Sequence, residues 1–554
     1  MLKWYDECSL MHEECRQIST PFVPTRLIAI SDDPEPKLTL YHSSPTDTNI
    51  RYCALSHCWG GADVTKLTTE NLTSFQKSIP LSSLPKTFKD AVTITRSLGL
   101  RFLWLDSLCI IQDSHIDWTR ESATMGDVYE AAHVTIAAVG GDNSNRGCFR
   151  TYNPLRYVAA RIAGDEYDGL AVYPANGNST RRADGEIIGN MQPLNWRCWT
   201  FQERLISRRI IHFGETGIRW TCRCGWSNEY IVAMYPNETE DETRAWRELV
   251  GLARCEDTAT VRHAGRPLDM FDDDDVPPDH RELSAEAQFH RNWTGLVEEY
   301  CGRHLTKPGD RLIALSGVVQ RIQRYTGATY LAGLWHPALH LHLMWTVNSI
   351  PVPPRPPVYR APTRSWASVG SAWMRSEATM KPHESFESLI ELVAHDIQCD
   401  PADMSKTGEV LSASLFLEAR VKPFDVRFIK PSTFEGEVQP NWWHMTDGVE
   451  SLGSCHGDVP NPFEGLHTFY LMPVIAGRVD VSKYAHVAEA RSRPTLQGLL
   501  LKRCIRKEPR GASLPNAGEF YYERFGYFTM NSAQPGGDCT TWFDDHERQI
   551  VELQ

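Results

Sequence analysis

The chain has 554 residues and a net charge of -13, from 70 acidic and 57 basic residues. This length predicts more than one domain, because domains mostly run to about 100–200 residues. The negative charge argues against a nucleic-acid partner, since binding to phosphates needs a cationic surface. The first residues carry no apolar stretch of a secretory signal, so we expect a cytoplasmic protein whose 15 cysteines are reduced thiols.

The first 23 residues resemble an amphipathic helical leader. Cys8 and Cys15 are seven residues apart and could share a helix face. A metal site would need two further ligands, and none lies nearby in the sequence, so a solvated helix is the favoured interpretation. Arg26–Ile30 and Lys37–Tyr41 then alternate like strands around a turn-rich segment, which predicts a β-hairpin.

Two apolar runs end in polar and small residues, the pattern of buried strands that open into loops at a sheet edge. They are Tyr52-Cys-Ala-Leu-Ser-His-Cys-Trp-Gly-Gly61 and Arg101-Phe-Leu-Trp-Leu-Asp-Ser-Leu-Cys-Ile-Ile-Gln112. Residues 84–98 between them have helical spacing, with Pro85 suited to the first turn and Gly99 to the end. Strand, helix and strand over this span predict a βαβ unit with parallel strands.

A second such unit follows, with a helix that Asp117 can cap and a strand at His133–Ala138. Ligands of open α/β sheets bind beyond the carboxyl ends of the strands. The polar rim at those ends supplies the candidate ligand contacts, which are Ser56, Trp59, Gly60, Asp106 and Gln112.

Residues of reactive types occur in this region, but their positions argue against nucleophilic catalysis. Ser56 and His57 could be nucleophile and base, but adjacent strand residues point to opposite faces of a sheet. Cys109 stands in an apolar run and is interpreted as part of the core.

Four blocks of the chain, in order and closely spaced, resemble the successive blocks of the fungal heterokaryon-incompatibility (HET) domain. They read YCALSHCWGG, LPKTFKDAVTITRSLGLRFLWLDSLCIIQD, DWTRESATMGDVYEAAHVTIAA and RCWTFQERLISRRIIHF. The resemblance covers roughly residues 24–229. A weaker resemblance to the downstream part of such proteins continues through NWTGLVEEYCGRHLTKPGDRLIALSGV, YLAGLW and RSWASVG.

HET domains are in turn remotely similar to TIR domains, which have a flavodoxin-like fold and some of which cleave NAD at the nicotinamide–ribose bond. The resemblance therefore implies an α/β fold with a TIR/flavodoxin-like parallel sheet. TIR enzymes carry their catalytic glutamate in a Trp-Cys-x-x-Glu-Leu phrase on a helix. Trp199 and Glu203 have that spacing here, although Thr200 replaces the cysteine and Leu205 comes one position late. The resemblance thus implies NAD as a substrate, Glu203 as the catalytic carboxylate and Trp199 as a substrate contact.

Carboxylate chemistry suits this reaction, because a carboxylate stabilises the oxocarbenium-like ribose that forms when the N-glycosidic bond breaks. Trp59 could stack on the nicotinamide or the adenine. The reaction needs no metal and no bound cofactor. The chain has no GxGxxG phrase, which argues against a Rossmann dehydrogenase.

Glu121 is a second candidate for the catalytic carboxylate. It shares the apolar face of its predicted helix with Trp118 and Met125, where a carboxylate is costly unless it has a partner or a function. Structural alternatives remain for both glutamates. Glu203 could form a salt bridge with Arg204, Arg208 or Arg209, and Glu121 could be the buried partner of an arginine or a backbone amide.

Further along, Cys222 and Cys224 fall on one face of a predicted strand, which favours packing over metal binding because no partner pair is evident. Residues 328–350, poor in charge, are interpreted as a helix packed in protein and not as a membrane span. Five strands are predicted near the C-terminus, at Leu389–Ile397, Leu411–Val421, Thr468–Ile475, Leu496–Cys504 and Phe520–Met530.

The predicted organisation has five parts. A leader and β-hairpin occupy residues 1–50, and the HET domain occupies 51–236. An acidic insertion and helical region spans 237–350, and a stiff proline-rich linker spans 351–363. A β-rich region covers 364–554.

The resemblance leaves three functions open. The first is heterokaryon incompatibility, in which non-self recognition triggers programmed cell death through NAD hydrolysis, switched on by self-association of the HET domain. The second is a non-catalytic cell-death adaptor that acts through protein contacts. The third is a HET relative with no role in incompatibility. The expected partners are proteins, either a second copy of this chain or an allelic recognition factor.

Overall fold

The computed structural model describes residues 1–16, 21–61, 64–151, 160–161, 171–172, 192–215, 217–229, 231–236, 241–250, 285–347, 353–370, 387–403, 405–434, 437–448, 451–460, 463, 466, 468–479, 493–506, 514–515, 519–531 and 539–554. These residues form two compact units. The first holds the described residues up to Arg244, and the second holds those from Ala245 onward.

A nine-stranded mixed sheet forms the centre of the first unit, within the part that the structure describes. The strands of the unit are β1 (Arg26–Ile30), β2 (Leu38–His42), β3 (Cys53–Ser56), β4 (Phe102–Trp104), β5 (Val134–Ala137), β6 (Ala160–Arg161), β7 (Ala171–Val172), β8 (Arg209–Phe213), β9 (Ile218–Cys222), β10 (Gly225–Asn228) and β11 (Ile231–Pro236). The order of strands in the sheet is β11-β10-β9-β8-β5-β3-β4-β1-β2, and β6 and β7 pair separately.

Four neighbouring strands of this sheet, β4, β3, β5 and β8, run parallel. The hairpin of β1 and β2 flanks them on one side, and antiparallel strands β9 to β11 flank them on the other. Every residue of β3 and β5 is buried, as expected for central strands covered on both faces. The predicted hairpin and the predicted parallel βαβ unit are thus confirmed, and the carboxyl ends of β3, β4 and β5 meet at one edge.

The helices of the first unit are α1 (Leu2–Met11), α2 (Glu13–Arg16), α3 (Leu72–Lys77), α4 (Lys86–Ser97), α5 (Asp106–Cys109), α6 (His115–Ala123), α7 (Met125–Ala131) and α8 (Trp199–Ile206). Helix α4 joins β3 to β4 and buries the apolar face that includes Phe88 and Val92. Gly99 follows α4 with φ +71°, a left-handed conformation that ends the helix at little cost for glycine.

The helix predicted after Asp117 is corrected in two respects. It consists of α6 and α7, which are interrupted at Thr124, where φ is -101° and ψ is 0°. Its N-cap is Ser114, whose Oγ accepts the Asp117 N–H at 3.3 Å, and not Asp117. The break means that Glu121 and Met125 belong to different helices.

The N-terminal segment is part of the core, so the expectation of a solvated helix is wrong. Cys8 and Cys15 are fully buried and Trp4 is nearly so. The Arg208 guanidinium donates to the carbonyl oxygens of Cys15 at 3.1 Å and of Glu130 at 2.8 Å. These bonds tie α2 and α7 together in the interior.

The described helices of the second unit are α10 (Ala285–Cys301), α11 (Ser316–Thr326) and α12 (Leu339–His342), while α9 (Asp241–Leu249) begins in the first unit. The helix predicted over 328–350 is wrong, because only α12 is helical among the described residues there. Tyr330 and Trp335 form an antiparallel bridge around Ala332 and Gly333, both at positive φ. The acidic runs predicted as an insertion lie almost wholly outside the described residues.

An antiparallel-rich sheet of 11 described strands completes the second unit. The strands are β12 (Glu387–Ser388), β13 (Glu391–Cys399), β14 (Val410–Ala419), β15 (Lys422–Asp425), β16 (Ile429–Phe434), β17 (Glu437–Thr446), β18 (Ser451–Gly457), β19 (Thr468–Val479), β20 (Arg493–Ile505), β21 (Phe520–Asn531) and β22 (Gln549–Leu553). All five strands predicted near the C-terminus are confirmed, as β13, β14, β19, β20 and β21.

Residues 353–370, which include the end of the predicted linker, belong to this second unit. The Arg364 side chain is fully buried and donates to the carbonyl oxygens of Ala413 and Leu553, each at 3.2 Å. Among the described residues, no helix combines the length and the apolar character needed to cross a membrane.

Phe88 provides a test of the core between α4 and the sheet. Its ring is fully buried and meets the His57 ring edge-on at 5.0 Å between centroids. Phe88→Ala should lower the free energy of unfolding by about 3–5 kcal/mol, because it leaves a cavity. Hydrogen exchange should accelerate in peptides covering β3, β4 and β5. Phe149→Ala removes a ring that is 47% exposed and serves as the control; an equal effect of both substitutions would contradict this account.

Candidate functional site

The loops after β3 and β4 are joined by a hydrogen bond between two of the predicted site residues. Trp59 Nε1–H donates to Asp106 Oδ2 at 2.8 Å. The other carboxylate oxygen, Oδ1, accepts the Ser107 N–H at 2.7 Å, at the start of α5. Asp106 therefore holds the indole of Trp59 in a fixed orientation at the carboxyl edge of the sheet.

Two further predicted residues shape these loops through the backbone. Gly60 has φ +65°, and a Cβ there would lie 2.3 Å from the Asp142 carbonyl oxygen, so only glycine fits this approach to the loop after β5. Gln112 Nε2 donates to the carbonyl oxygens of Asp106 and Ile110, each at 3.0 Å. Both residues therefore act on loop shape in this structure, and their contact with a ligand stays a prediction.

Glu203 lies on α8 with its side chain buried, 7% exposed, against the end of β3. Its carboxylate faces the hydroxyls of Ser56, at the end of β3, and Tyr129, on α7. The Tyr129 hydroxyl also donates to the Leu55 carbonyl oxygen at 3.2 Å. One carboxylate oxygen, Glu203 Oε2, is buried and has no hydrogen-bond partner among the described residues.

Burial raises the pKa of Glu203 to about 7, because desolvation disfavours the ionised carboxylate. The negative charge of Asp106 raises this pKa further. The hydroxyl of Ser56 opposes the shift most strongly, followed by the positive charge of Arg197 and the hydroxyl of Tyr129. A carboxyl group with a pKa near neutrality can exchange a proton under physiological conditions.

Arg197 and Tyr129 belong to this site, although the sequence did not single them out as site residues. Arg197 is half-buried just before α8, and its Nη1–H donates to the His57 carbonyl oxygen at 3.2 Å. The only available signal was its place in the phrase that contains Trp199 and Glu203. Tyr129 matched the pattern of a core helix residue, which it also is.

Glu121 lies in an ion-pair network. Its Oε1 is 3.4 Å from Arg26 Nη2, and the same nitrogen is 2.5 Å from Asp117 Oδ2. Arg26 Nε–H also donates to the Cys109 carbonyl oxygen at 2.6 Å. Burial raises the pKa of Glu121, and the Thr25 hydroxyl and Arg26 oppose that shift. This placement matches the structural alternative for Glu121, and its catalytic role stays a prediction without further support.

Trp199 and His57 complete the predicted region. Trp199 is half-buried and meets Trp118 edge-on at 6.3 Å between ring centroids, so it packs α8 against α6. His57 turns to the α4 side of the sheet, against Phe88, while Ser56 faces Glu203. The two neighbours thus point to opposite faces, as expected for adjacent strand residues. Cys109 is fully buried, which confirms its assignment to the core.

The first unit is therefore a mixed α/β domain whose parallel strands end in a cluster of polar side chains around a buried carboxyl group. Residues 52–203 match the family model described as Heterokaryon incompatibility protein (HET). The match begins just before β3 and ends at Glu203, so it contains the whole cluster. It suggests a function related to heterokaryon incompatibility. No curated protein and no solved structure matches the chain.

The raised pKa of Glu203 predicts how stability depends on pH. Between about pH 4.5, where a glutamate ionises in the unfolded chain, and about pH 7, only the folded state holds this proton. The free energy of unfolding should therefore fall as the pH rises through this window, by on the order of 3 kcal/mol. Glu203→Gln should lose this part of the pH dependence in urea unfolding of the full chain.

The matched control for this measurement is Glu70→Gln, which changes an exposed carboxylate. It should keep the pH dependence of the unsubstituted chain. Limited proteolysis along the urea series would identify the transition of the first unit. The same dependence on pH in Glu203→Gln and in the unsubstituted chain would contradict the assignment.

Proposed function

We propose that this protein acts in heterokaryon incompatibility and that its first unit hydrolyses NAD, with Glu203 as the catalytic carboxylate. The observation that carries the proposal is the buried Oε2 of Glu203, without a partner among the described residues, beside Ser56, Asp106 and Arg197. Burying a carboxylate with incomplete hydrogen bonding is costly. Groups of this kind, with a pKa shifted by burial and nearby charges, are concentrated at functional sites.

The strand order supports a TIR-like core. In chain order, β3, β4, β5 and β8 are the first to fourth parallel strands, and they lie in the order second, first, third, fourth. This is the beginning of the flavodoxin-like order 2-1-3-4-5, in which ligands bind where the first and third strands diverge. The corresponding strands here are β3 and β5, and Ser56 ends β3 at that point.

The proposed reaction breaks the bond between C1′ of the ribose and the nicotinamide nitrogen. The bonding electron pair stays on that nitrogen, so the pyridinium becomes neutral nicotinamide, and an oxocarbenium-like ribose remains. The ionised carboxylate of Glu203 stabilises this cation and accepts the proton of the attacking water, which yields ADP-ribose. Because the ionised form acts, the rate should rise as the pH passes through about 7.

Residues at the half-buried rim suit the rest of the substrate. Trp59 presents an aromatic ring held by Asp106, and a base can stack on such a ring. Arg197 provides a guanidinium near the carboxylate, suited to an anionic phosphate. Trp59, Asp106 and Arg197 are all partly exposed, while Glu203 is buried.

The burial of Glu203 also fits a protein that is inactive until it is switched on. A substrate reaches this carboxylate only if neighbouring groups move, because Glu203 is 7% exposed. We therefore propose that self-association, or an allelic protein partner, opens the site. Consumption of NAD would then cause the cell death of an incompatible fusion.

The test is NAD consumption by the purified full chain over a series of protein concentrations, with nicotinamide and ADP-ribose quantified by chromatography. Glu203→Gln should lower turnover by roughly 10²-fold or more, because it removes the acting carboxylate. Glu121→Gln is the matched control, since it neutralises another buried glutamate of the domain. It should retain turnover within a few-fold if circular dichroism shows an intact fold.

Three outcomes would contradict this proposal. Loss of turnover in Glu121→Gln but not in Glu203→Gln would show that Glu121, and not Glu203, is the catalytic carboxylate. No turnover at any concentration, in a chain whose expression still kills cells, would exclude NAD hydrolysis and favour the non-catalytic adaptor. If expression of the chain in an incompatible background leaves cells viable, the incompatibility role itself is contradicted.

A further inference from the structure

Four sulfur and nitrogen ligands meet in the first unit, between the N-terminal helices and β9. Cys8, His12, Cys15 and Cys222 each offer one ligand atom, and these four atoms all lie within 4.8 Å of one another. The proposed hydrolase uses none of them. No sequence motif combines them, because about 200 residues separate Cys15 from Cys222.

Local structure explains how the ligands converge. Helix α1 ends at Met11, and the His12 backbone N–H donates to the Cys8 carbonyl oxygen, so the two side chains are one helical turn apart. Helix α2 then carries Cys15. On the sheet, Cys222 ends β9 and pairs with Arg209 of β8.

The distances suit a tetrahedral metal ion. With zinc–sulfur bonds of about 2.3 Å and zinc–nitrogen bonds of about 2.0 Å, tetrahedral ligand atoms lie roughly 3.5–3.8 Å apart. Cys222 Sγ and His12 Nδ1 are 3.4 Å apart. Cys8 and Cys15 are fully buried and Cys222 is 5% exposed. Three cysteines and one histidine are a ligand set that structural zinc sites use.

Three arginines surround the cluster and match the charge that such a site would carry. Three thiolates around a divalent cation leave one net negative charge. Arg209 Nε–H donates to Cys8 Sγ at 3.3 Å, and a cationic donor aimed at sulfur favours a thiolate over a thiol. Arg208 donates to the Cys15 carbonyl oxygen and Arg223 donates to the Glu14 carbonyl oxygen. Hydrogen bonds of this kind orient and stabilise metal ligands.

Packing of neutral thiols is the simpler explanation of buried cysteines, since a free thiol behaves as a small apolar group. It accounts for Cys53 or Cys148, which are buried singly. It does not account for an imidazole and a guanidinium both directed at the sulfur atoms of one cluster.

We propose that Cys8, His12, Cys15 and Cys222 bind one zinc ion that fastens the N-terminal helices to the sheet. Four protein ligands close the coordination shell, so the ion is structural. A link between residues so far apart in the chain stabilises the fold, because it removes conformational freedom from the unfolded state. Cys224 Sγ lies 3.9 Å from Cys15 Sγ but stands outside the group of four.

The test is the metal content of the full chain, purified without a histidine tag and measured by mass spectrometry of the elements. About one zinc per chain is expected. His12→Ala and Cys15→Ala should each lower this content at least several-fold. Cys148→Ala, which removes another buried thiol of the same unit, and Cys224→Ala should both keep it. Retention of zinc in His12→Ala and Cys15→Ala, or its loss in Cys148→Ala, would overturn the proposal.

A second measurement needs no substitution and so does not depend on the folding of a variant. A chelator should release the zinc from the unsubstituted chain and expose Cys8, Cys15 and Cys222 to a thiol reagent, as mapped by peptide mass spectrometry. Cys148 should react at the same rate with and without the chelator. Absence of zinc even after growth and purification with added zinc would contradict the site. Cluster thiols whose reactivity does not change when the chelator is added would also contradict it. Neither readout depends on NAD hydrolysis.

Discussion

The free-energy cost of burying the Glu203 carboxylate is the constraint on which the proposed site depends. Desolvation alone favours the neutral acid, and the negative charge of Asp106 adds to that preference. The hydroxyl of Ser56 and the guanidinium of Arg197 oppose it, so the two forms of the carboxyl are balanced near neutral pH. This balance requires the end of β3, the start of α5 and helix α8 with the residues just before it to meet at one point. The parallel arrangement of β4, β3 and β5 meets that requirement, because it brings the carboxyl ends of the strands to one edge.

The buried arginines give the first unit a second organising interaction. Arg208 and Arg209 follow Glu203 closely in the sequence and were natural candidates for its salt-bridge partners. In the structure Arg208 instead bonds backbone carbonyl groups of α2 and α7, and Arg209 bonds the Cys8 sulfur. Glu203 therefore has half-buried Arg197 as a counter-charge. Arg197 lowers the pKa of Glu203, but burial raises that pKa more. The same arginines draw the N-terminal helices onto the sheet, where the proposed zinc ligands converge.

Short-range patterns in the sequence predicted the strands and the sheet edge at which they end. Apolar runs that end in polar and small residues located β3 and β4, and five strands of the second sheet were also predicted from the sequence. The topology rule for parallel strands brought Ser56, Trp59 and Asp106 to one edge. Contacts that depend on tertiary packing were out of reach. Tyr129 approaches Glu203 because α7 and α8 pack side by side. Cys222 meets Cys8 only because the N-terminal helices fold back over the edge of the parallel strands.

The most direct measurement of the central claim is an infrared titration of the full chain with and without a carbocyclic NAD analogue that cannot be hydrolysed. The difference between the unsubstituted chain and Glu203→Gln isolates the absorption of the protonated Glu203 carboxyl. The account predicts that this absorption disappears near pH 7 and that the analogue shifts its titration, because the bound nicotinamide cation lies beside the carboxylate. A carboxyl that is already ionised at pH 5, or a titration that the bound analogue leaves unchanged, would contradict the account.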